Sequence, residues 1–138
     1  MALSVGVIGS GAWGTALGHL MAEQGADVLA WAYEPEVVEA INRRHENEVF
    51  LPGVRLPARY RATRDIAEAA GGHDLVLCVV PSHVLRGVMR EAAPHLDAAP
   101  LVCATKGIEN ESLMTMDEVL AEVLPAERHG QLAFLSGP

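Results

Sequence analysis

Residues 5–17 read VGVIGSGAWGTAL. A short apolar run ends in three glycines, Gly9, Gly11 and Gly14, before a helix-forming stretch begins. Glycine loses more conformational freedom on folding than any other residue, so three in one bend require an offsetting interaction. The spacing Gly9-x-Gly11-x-x-Gly14 between a strand and a helix gives each glycine a separate task. Gly9 makes the sharp turn, Gly11 lets the backbone approach a pyrophosphate, and Gly14 lets the helix lie close to the strand. The amide hydrogens of Ser10, Gly11, Ala12 and Trp13 then face an anion, and the helix dipole adds to the attraction. A glycine-rich turn kept only for packing is the alternative. The early position, the preceding strand and the strand that follows favour dinucleotide binding.

The rest of the chain alternates in the same way. Strands are expected at 3–8, 27–31, 74–80, 101–105 and 132–136, with a short one near 59–62. Helices are expected at 13–24, closed by Gly25, and at 35–44 with Pro35 in the first turn. Others are expected at 64–70 capped by Thr63, from Ser82 to about residue 92, and at 111–123. The segment HENEVFLPGVRLP reads as irregular. The run DLVLCVV is nearly continuous in apolar residues, as a strand buried on both faces requires. Alternation of strand and helix implies parallel strands with crossover helices. The fold class expected is therefore α/β, a doubly wound, mostly parallel, Rossmann-like sheet in a single domain.

Ligands of such sheets lie outside the carboxyl ends of the strands. Glu34, just past the second strand, is placed to accept from adenosine ribose hydroxyls, which favours NAD; it also suits the start of the next helix. No arginine stands at 33 or 34 to hold a 2′-phosphate, although Arg43 and Arg44 are near in sequence, so the cofactor is NAD or NADP. Trp13 either flanks the cofactor, closes the substrate cleft or anchors the first helix in the core. Pro81 stops a strand at the cleft, and His83 beside it is either a ligand contact or a helix-surface residue. Nine of the ten basic residues are arginine, and the one lysine, Lys106, stands where a strand emerges. Its compact ammonium suits a phosphate or a carbonyl oxygen. Gly137 permits close ligand approach at the last strand mouth.

Half the residues are hydrophobic and 20% are charged, a globular composition. A net charge of −8 recommends neither nucleic acid nor an anionic membrane. No apolar run approaches the roughly 20 residues of a membrane span, and no secretory leader is visible. Cys78 and Cys103 lie in apolar runs and fit no zinc spacing, so two buried reduced thiols, no metal and a cytoplasmic protein are expected.

The segments GSGAWGTAL, HENEVFLPG, VVPSHVLR, ATKGIE and LSGP, in this order, resemble the N-terminal domain of bacterial-type NAD(P)-dependent glycerol-3-phosphate dehydrogenases over essentially the whole chain. The resemblance implies interconversion of dihydroxyacetone phosphate and glycerol 3-phosphate for phospholipid synthesis. It implies cofactor contacts from Ala12, Trp13, Tyr33 and Phe50, a lysine at Lys106 touching cofactor and substrate, and a substrate contact at Gly137. Family members often carry His-Arg where this chain has Tyr33-Glu34, which counts against NADP. The family's catalytic lysine lies in a helical C-terminal domain beyond SGP. Residues 1–138 are thus expected to be an incomplete enzyme with no catalytic residue of their own, completed by that domain and, in the longer protein, open to forming a homodimer. Other readings are a ketopantoate-type or 6-phosphogluconate-type reductase, or a non-catalytic NAD(H) sensor.

Overall fold

The structure is a computed structural model that describes residues 2–135. Its centre is a six-stranded, wholly parallel sheet built from β1 (Ser4–Ile8), β2 (Asp27–Trp31), β5 (Tyr60–Thr63), β6 (Leu75–Cys78), β7 (Leu101–Cys103) and β8 (Leu132–Phe134). The spatial order is β5-β2-β1-β6-β7-β8. From β1 the chain steps outward through β2 to β5. It then returns to the other side of β1 and steps outward again through β6, β7 and β8. The reversal point lies between β1 and β6, where a crevice must open at the carboxyl ends of the strands.

Side chains alternate across each strand and feed two cores. Val5 and Val7 of β1 face helix α1 (Ala12–Glu23) and helix α2 (Pro35–Arg44), together with Val28, Ala30, Leu77 and Tyr60. Ile8, Val76, Cys78, Leu101 and Cys103 face α3 (Ile66–Ala70), α4 (Leu85–Ala92) and α5 (Met116–Val123). Helix α1 approaches its face on small residues: Gly14, Gly18 and Ala22 recur every fourth position. A Cβ at Gly18 would stand 2.6 Å from the buried Tyr60 ring. On the other face, a Cβ at Gly6 would stand only 1.9 Å from the Ala69 carbonyl oxygen of α3. Among the described residues no helix is long and apolar enough to cross a membrane.

The doubly wound parallel sheet is as expected, while several element boundaries move. The segment taken as irregular contains a two-stranded antiparallel hairpin, β3 (Glu46–Asn47) with β4 (Leu51–Arg55). Helix α3 is capped by Asp65, whose carboxylate accepts from Ala67 N at 3.0 Å, rather than by Thr63. The Thr63 hydroxyl instead accepts from Asp65 N and donates to Glu68. Helix α4 begins at Leu85, not Ser82, because Pro81 to Val84 form a turn closed by Val84 N–H on the Pro81 carbonyl. Helix α5 begins at Met116, not residue 111, because residues 109–115 fold back as a tight loop and Thr115 with Glu118 forms a capping box. Residue 136 of the expected last strand lies outside the described residues.

Urea unfolding should separate two substitutions. Thr115→Ala, which removes one cap, is expected to cost about 1 kcal/mol. Gly6→Ala forces a backbone-to-backbone clash and is expected to cost roughly 3 kcal/mol or more.

Candidate functional site: a cleft at the strand reversal

Ile8 ends β1, and Gly9 turns the chain at φ +132. A side chain there is blocked twice, since few residues adopt that conformation and a Cβ would lie 2.6 Å from the Val79 carbonyl oxygen across the crevice. A Cβ at Gly14 would lie 2.9 Å from the Gly9 carbonyl oxygen. Gly11 differs, because a Cβ there would meet nothing within 4 Å. Nothing in the protein requires that glycine, so its missing side chain serves the open cleft. Gly11 is also the N-cap of α1, makes no side-chain capping bond, and is followed by a first turn without acidic residues. The first amide hydrogens of a helix have no partners within it. Here they and the positive end of the dipole face open space.

The turn is held from below. Ser10 is buried, and its hydroxyl donates to the Trp31 carbonyl at 2.8 Å. Its side chain is therefore committed to β2, and its offer to a ligand is the backbone amide. The Ser10 carbonyl accepts from Asn47 Nδ2 at 3.0 Å and from Thr15 Oγ1 at 3.3 Å, while Asn47 Nδ2 also donates to Thr15 Oγ1 at 2.9 Å. Asn47 is 1% exposed, and its Oδ1 accepts from Phe50 N. Sequence reasoning missed Asn47. Its one signal was an amide inside HENEVFLPG, a segment with no periodicity to say which side chains turn inward.

The cleft above the turn divides into cavities that share walls. One of ≈ 680 Å³ is lined by Gly9, Ser10 and Gly11 with Tyr33, Glu34 and Phe50, and it faces Pro81 and His83. Glu34 is the N-cap of α2 yet makes no capping bond with its side chain. His83 lies in the turn before α4 and on the cavity wall, not on the helix surface. A second cavity of ≈ 490 Å³ runs from Gly11, Ala12 and Trp13 past Val80 and Pro81 to Lys106. Trp13 is 51% exposed, so it is no core anchor. A third of ≈ 550 Å³ lies beyond Thr105 and Lys106, beside Gly107, Asp117 and Phe134. Thr105 ties the two strand ends together through its hydroxyl, which donates to the Val80 carbonyl at 2.6 Å. Gly9, Ser10, Gly11, Ala12, Trp13, Tyr33, Glu34, Phe50, Pro81 and Lys106 line these adjoining cavities; Gly14 lines none of them and packs against the Gly9 carbonyl instead, and Gly137 lies outside the described range. The Cys78 and Cys103 thiols pair in register beneath it, free and buried. Their mutual hydrogen bond and burial push the Cys78 thiol up.

Residues 4–138 match the family model described as NAD-dependent glycerol-3-phosphate dehydrogenase N-terminus. The glycerol-3-phosphate dehydrogenase [NAD(P)+] of Syntrophotalea carbinolica is 47% identical over 99% of this chain and 41% of its own length. That of Citrifermentans bemidjiense is 48% identical over the whole of this chain and 42% of its own. Among solved structures, glycerol-3-phosphate dehydrogenase of Coxiella burnetii superposes with a TM-score of 0.82 at 31% identity, over 99% of this chain and 41% of the other. The chain belongs to the NAD-dependent glycerol-3-phosphate dehydrogenase N-terminal family, and it spans about two fifths of the length of the curated relatives it matches.

Gly11→Ser and Asn47→Leu should act oppositely. A serine caps α1 and so holds or raises thermal stability by a few tenths of a kcal/mol, while its hydroxyl competes for the open amides. Calorimetric titration should show NADH binding weakened by about tenfold or more. Asn47→Leu takes the donor from Thr15 Oγ1 and the acceptor from the Phe50 N–H, while the Ser10 carbonyl keeps the Thr15 hydroxyl, and should cost roughly 1–3 kcal/mol in chemical denaturation.

Proposed function

We propose that this chain is the nicotinamide-nucleotide-binding domain of a longer dehydrogenase that interconverts glycerol 3-phosphate and dihydroxyacetone phosphate, supplying the backbone of glycerophospholipids. The observation that carries the reading is the continuity of the cleft. Gly11, Val79, Val80 and Pro81 line both of the first two cavities, and Thr105 and Lys106 line both of the last two. An extended dinucleotide needs such a groove, with an anion site near its middle.

In this reading Tyr33 and Phe50 flank the adenine, and Glu34 accepts from the ribose hydroxyls. The amides of Ser10, Gly11, Ala12 and Trp13 take the diphosphate, as their open position at the head of α1 allows. Trp13, Val80 and Pro81 wall the nicotinamide end. The bound cofactor supplies or accepts the hydride. Lys106 presents three donors between the second and third cavities, where it stabilises negative charge on the substrate. Gly137 is a further substrate contact. The proton donor belongs to the remainder of the longer protein, so Lys106 has no acid–base role here. The setting is the cytoplasm, where the free thiols of Cys78 and Cys103 stay reduced.

Glu34 has a further consequence. A carboxylate at the ribose suits a diol and repels a 2′-phosphate, so NADH should bind more tightly than NADPH. The 138-residue chain should bind NADH weakly and reduce no dihydroxyacetone phosphate, whereas the full-length protein should reduce it. Glu34→Gln should narrow the preference by improving NADPH about tenfold, roughly the worth of one unscreened charge contact. Full-length protein that binds NADH yet never reduces dihydroxyacetone phosphate would be a nucleotide sensor, and this reading would be wrong.

A further inference from the structure

We propose that Arg86 is a positioning residue for Lys106, its guanidinium gripping Glu109 and Glu122 together and so fixing the loop that carries the lysine over the cleft. The proposal rests on the substrate role given to Lys106 above, and it adds a residue outside the cleft to the machinery.

The loop needs such an anchor. Gly107 turns at φ +131, leaning so closely on the Pro81 turn that a Cβ would stand 3.1 Å from Ser82 Oγ. The chain then doubles back. Ile108 bridges Thr115 antiparallel, Glu109 N–H donates to the Met114 carbonyl, and Leu113 N–H donates to the Glu109 carbonyl. Leu113 sits at φ 61, a left-handed conformation that a branched side chain holds only when its surroundings impose it. Burial does not impose it, because Leu113 is 74% exposed and Ile108 57% exposed. The apolar tip of the loop therefore contributes little to its own order.

The polar base does the holding. Arg86, in the first turn of α4, donates from Nε and Nη2 to the Glu109 carboxylate at 2.9 Å each. Its Nη1 donates to Glu122 of α5 at 2.8 Å, and Nη2 also reaches Met114 Sδ at 3.5 Å. The Ser112 hydroxyl donates to the same Glu109 carboxylate. Arg86 and Glu109 side chains are 21% and 19% exposed, so the fork is largely screened from water. Its planar geometry fixes orientation as well as distance, which a lysine cannot do. These bonds, Arg86 first and Ser112 next, hold the Glu109 carboxyl down to about 2, so the fork stays charged at any physiological pH. The same α4 follows directly from Pro81 and Ser82 on the wall of the second cavity. One helix thus references the lysine loop to the nicotinamide end of the groove.

The test uses full-length enzyme carrying Arg86→Leu, Arg86→Lys, Glu109→Leu or the Arg86→Leu/Glu109→Leu pair. Expected for each is a rise of about tenfold in KM for dihydroxyacetone phosphate, the worth of one charge-assisted contact, with the Kd for NADH within about twofold of the parent. The pair should be no worse than either single leucine variant, because both break one fork. Hydrogen exchange should quicken at residues 106–115 and not in β1 or α1. Unchanged KM and exchange in folded Arg86→Lys and Arg86→Leu would overturn the proposal. So would a KM change that only tracks a general fall in melting temperature and in NADH affinity. A parent enzyme that binds NADH but reduces no dihydroxyacetone phosphate would sink the proposed reaction instead, and exchange at 106–115 would then decide the clamp, quickened in the variants if it holds and unchanged or slowed if it does not.

Discussion

Where β1 and β6 lie side by side, the Val79 N–H donates to the Ile8 carbonyl at 2.9 Å and the two chains stay in contact as they leave the sheet. Residue 9 has no room for a side chain because the Val79 carbonyl stands 2.6 Å from where its Cβ would be. That close passage dictates much else. It lets α1 start directly above the crevice, with its first amides open. It brings Val79, Val80 and Pro81 opposite the turn. It places β7, and with it Lys106, at the next step along the sheet. The acidic total of the chain is no obstacle to an anionic ligand at this point, because the terminus of α1 and the Lys106 ammonium act on it at close range.

The support beneath the turn is polar and buried. Ser10, Thr15 and Asn47 satisfy one another, and Asn47 also holds the Phe50 amide. A buried network of this kind specifies geometry only when every member is paired. It couples the hairpin to the glycine turn, so the aromatic at Phe50 and the turn at Ser10 are held by the same asparagine. This is how a loop far from β1 in sequence comes to share in shaping the groove.

What could be read from the sequence follows from how far each signal reaches. The glycine turn, the apolar run of β6 and the emergence of Lys106 from β7 are local patterns, and each is found where its pattern places it. The hairpin was not legible, because Glu46 and Asn47 have no strand character and Pro52 and Gly53 read as breakers; pairing across the bend makes the strand. Helix α5 starts late because residues 109–115 have helical composition but are captured by the Arg86 fork, a contact 23 residues distant. Asn47 was invisible for the same reason, since its partners come from α1 and the turn. Local propensity loses wherever a polar group finds a better partner far along the chain.

Every strand of the main sheet is parallel to its neighbours, so consecutive strands are joined by crossovers and none by a simple hairpin, and β1 meets β6 only after β2 and β5 are made. Gly9 is synthesised before Val79, whose carbonyl shapes its crevice. Folding that depends on such distant partners is slow. The glycine turn is thus made before its opposite wall, and the crevice is complete only when β6 has taken its place beside β1.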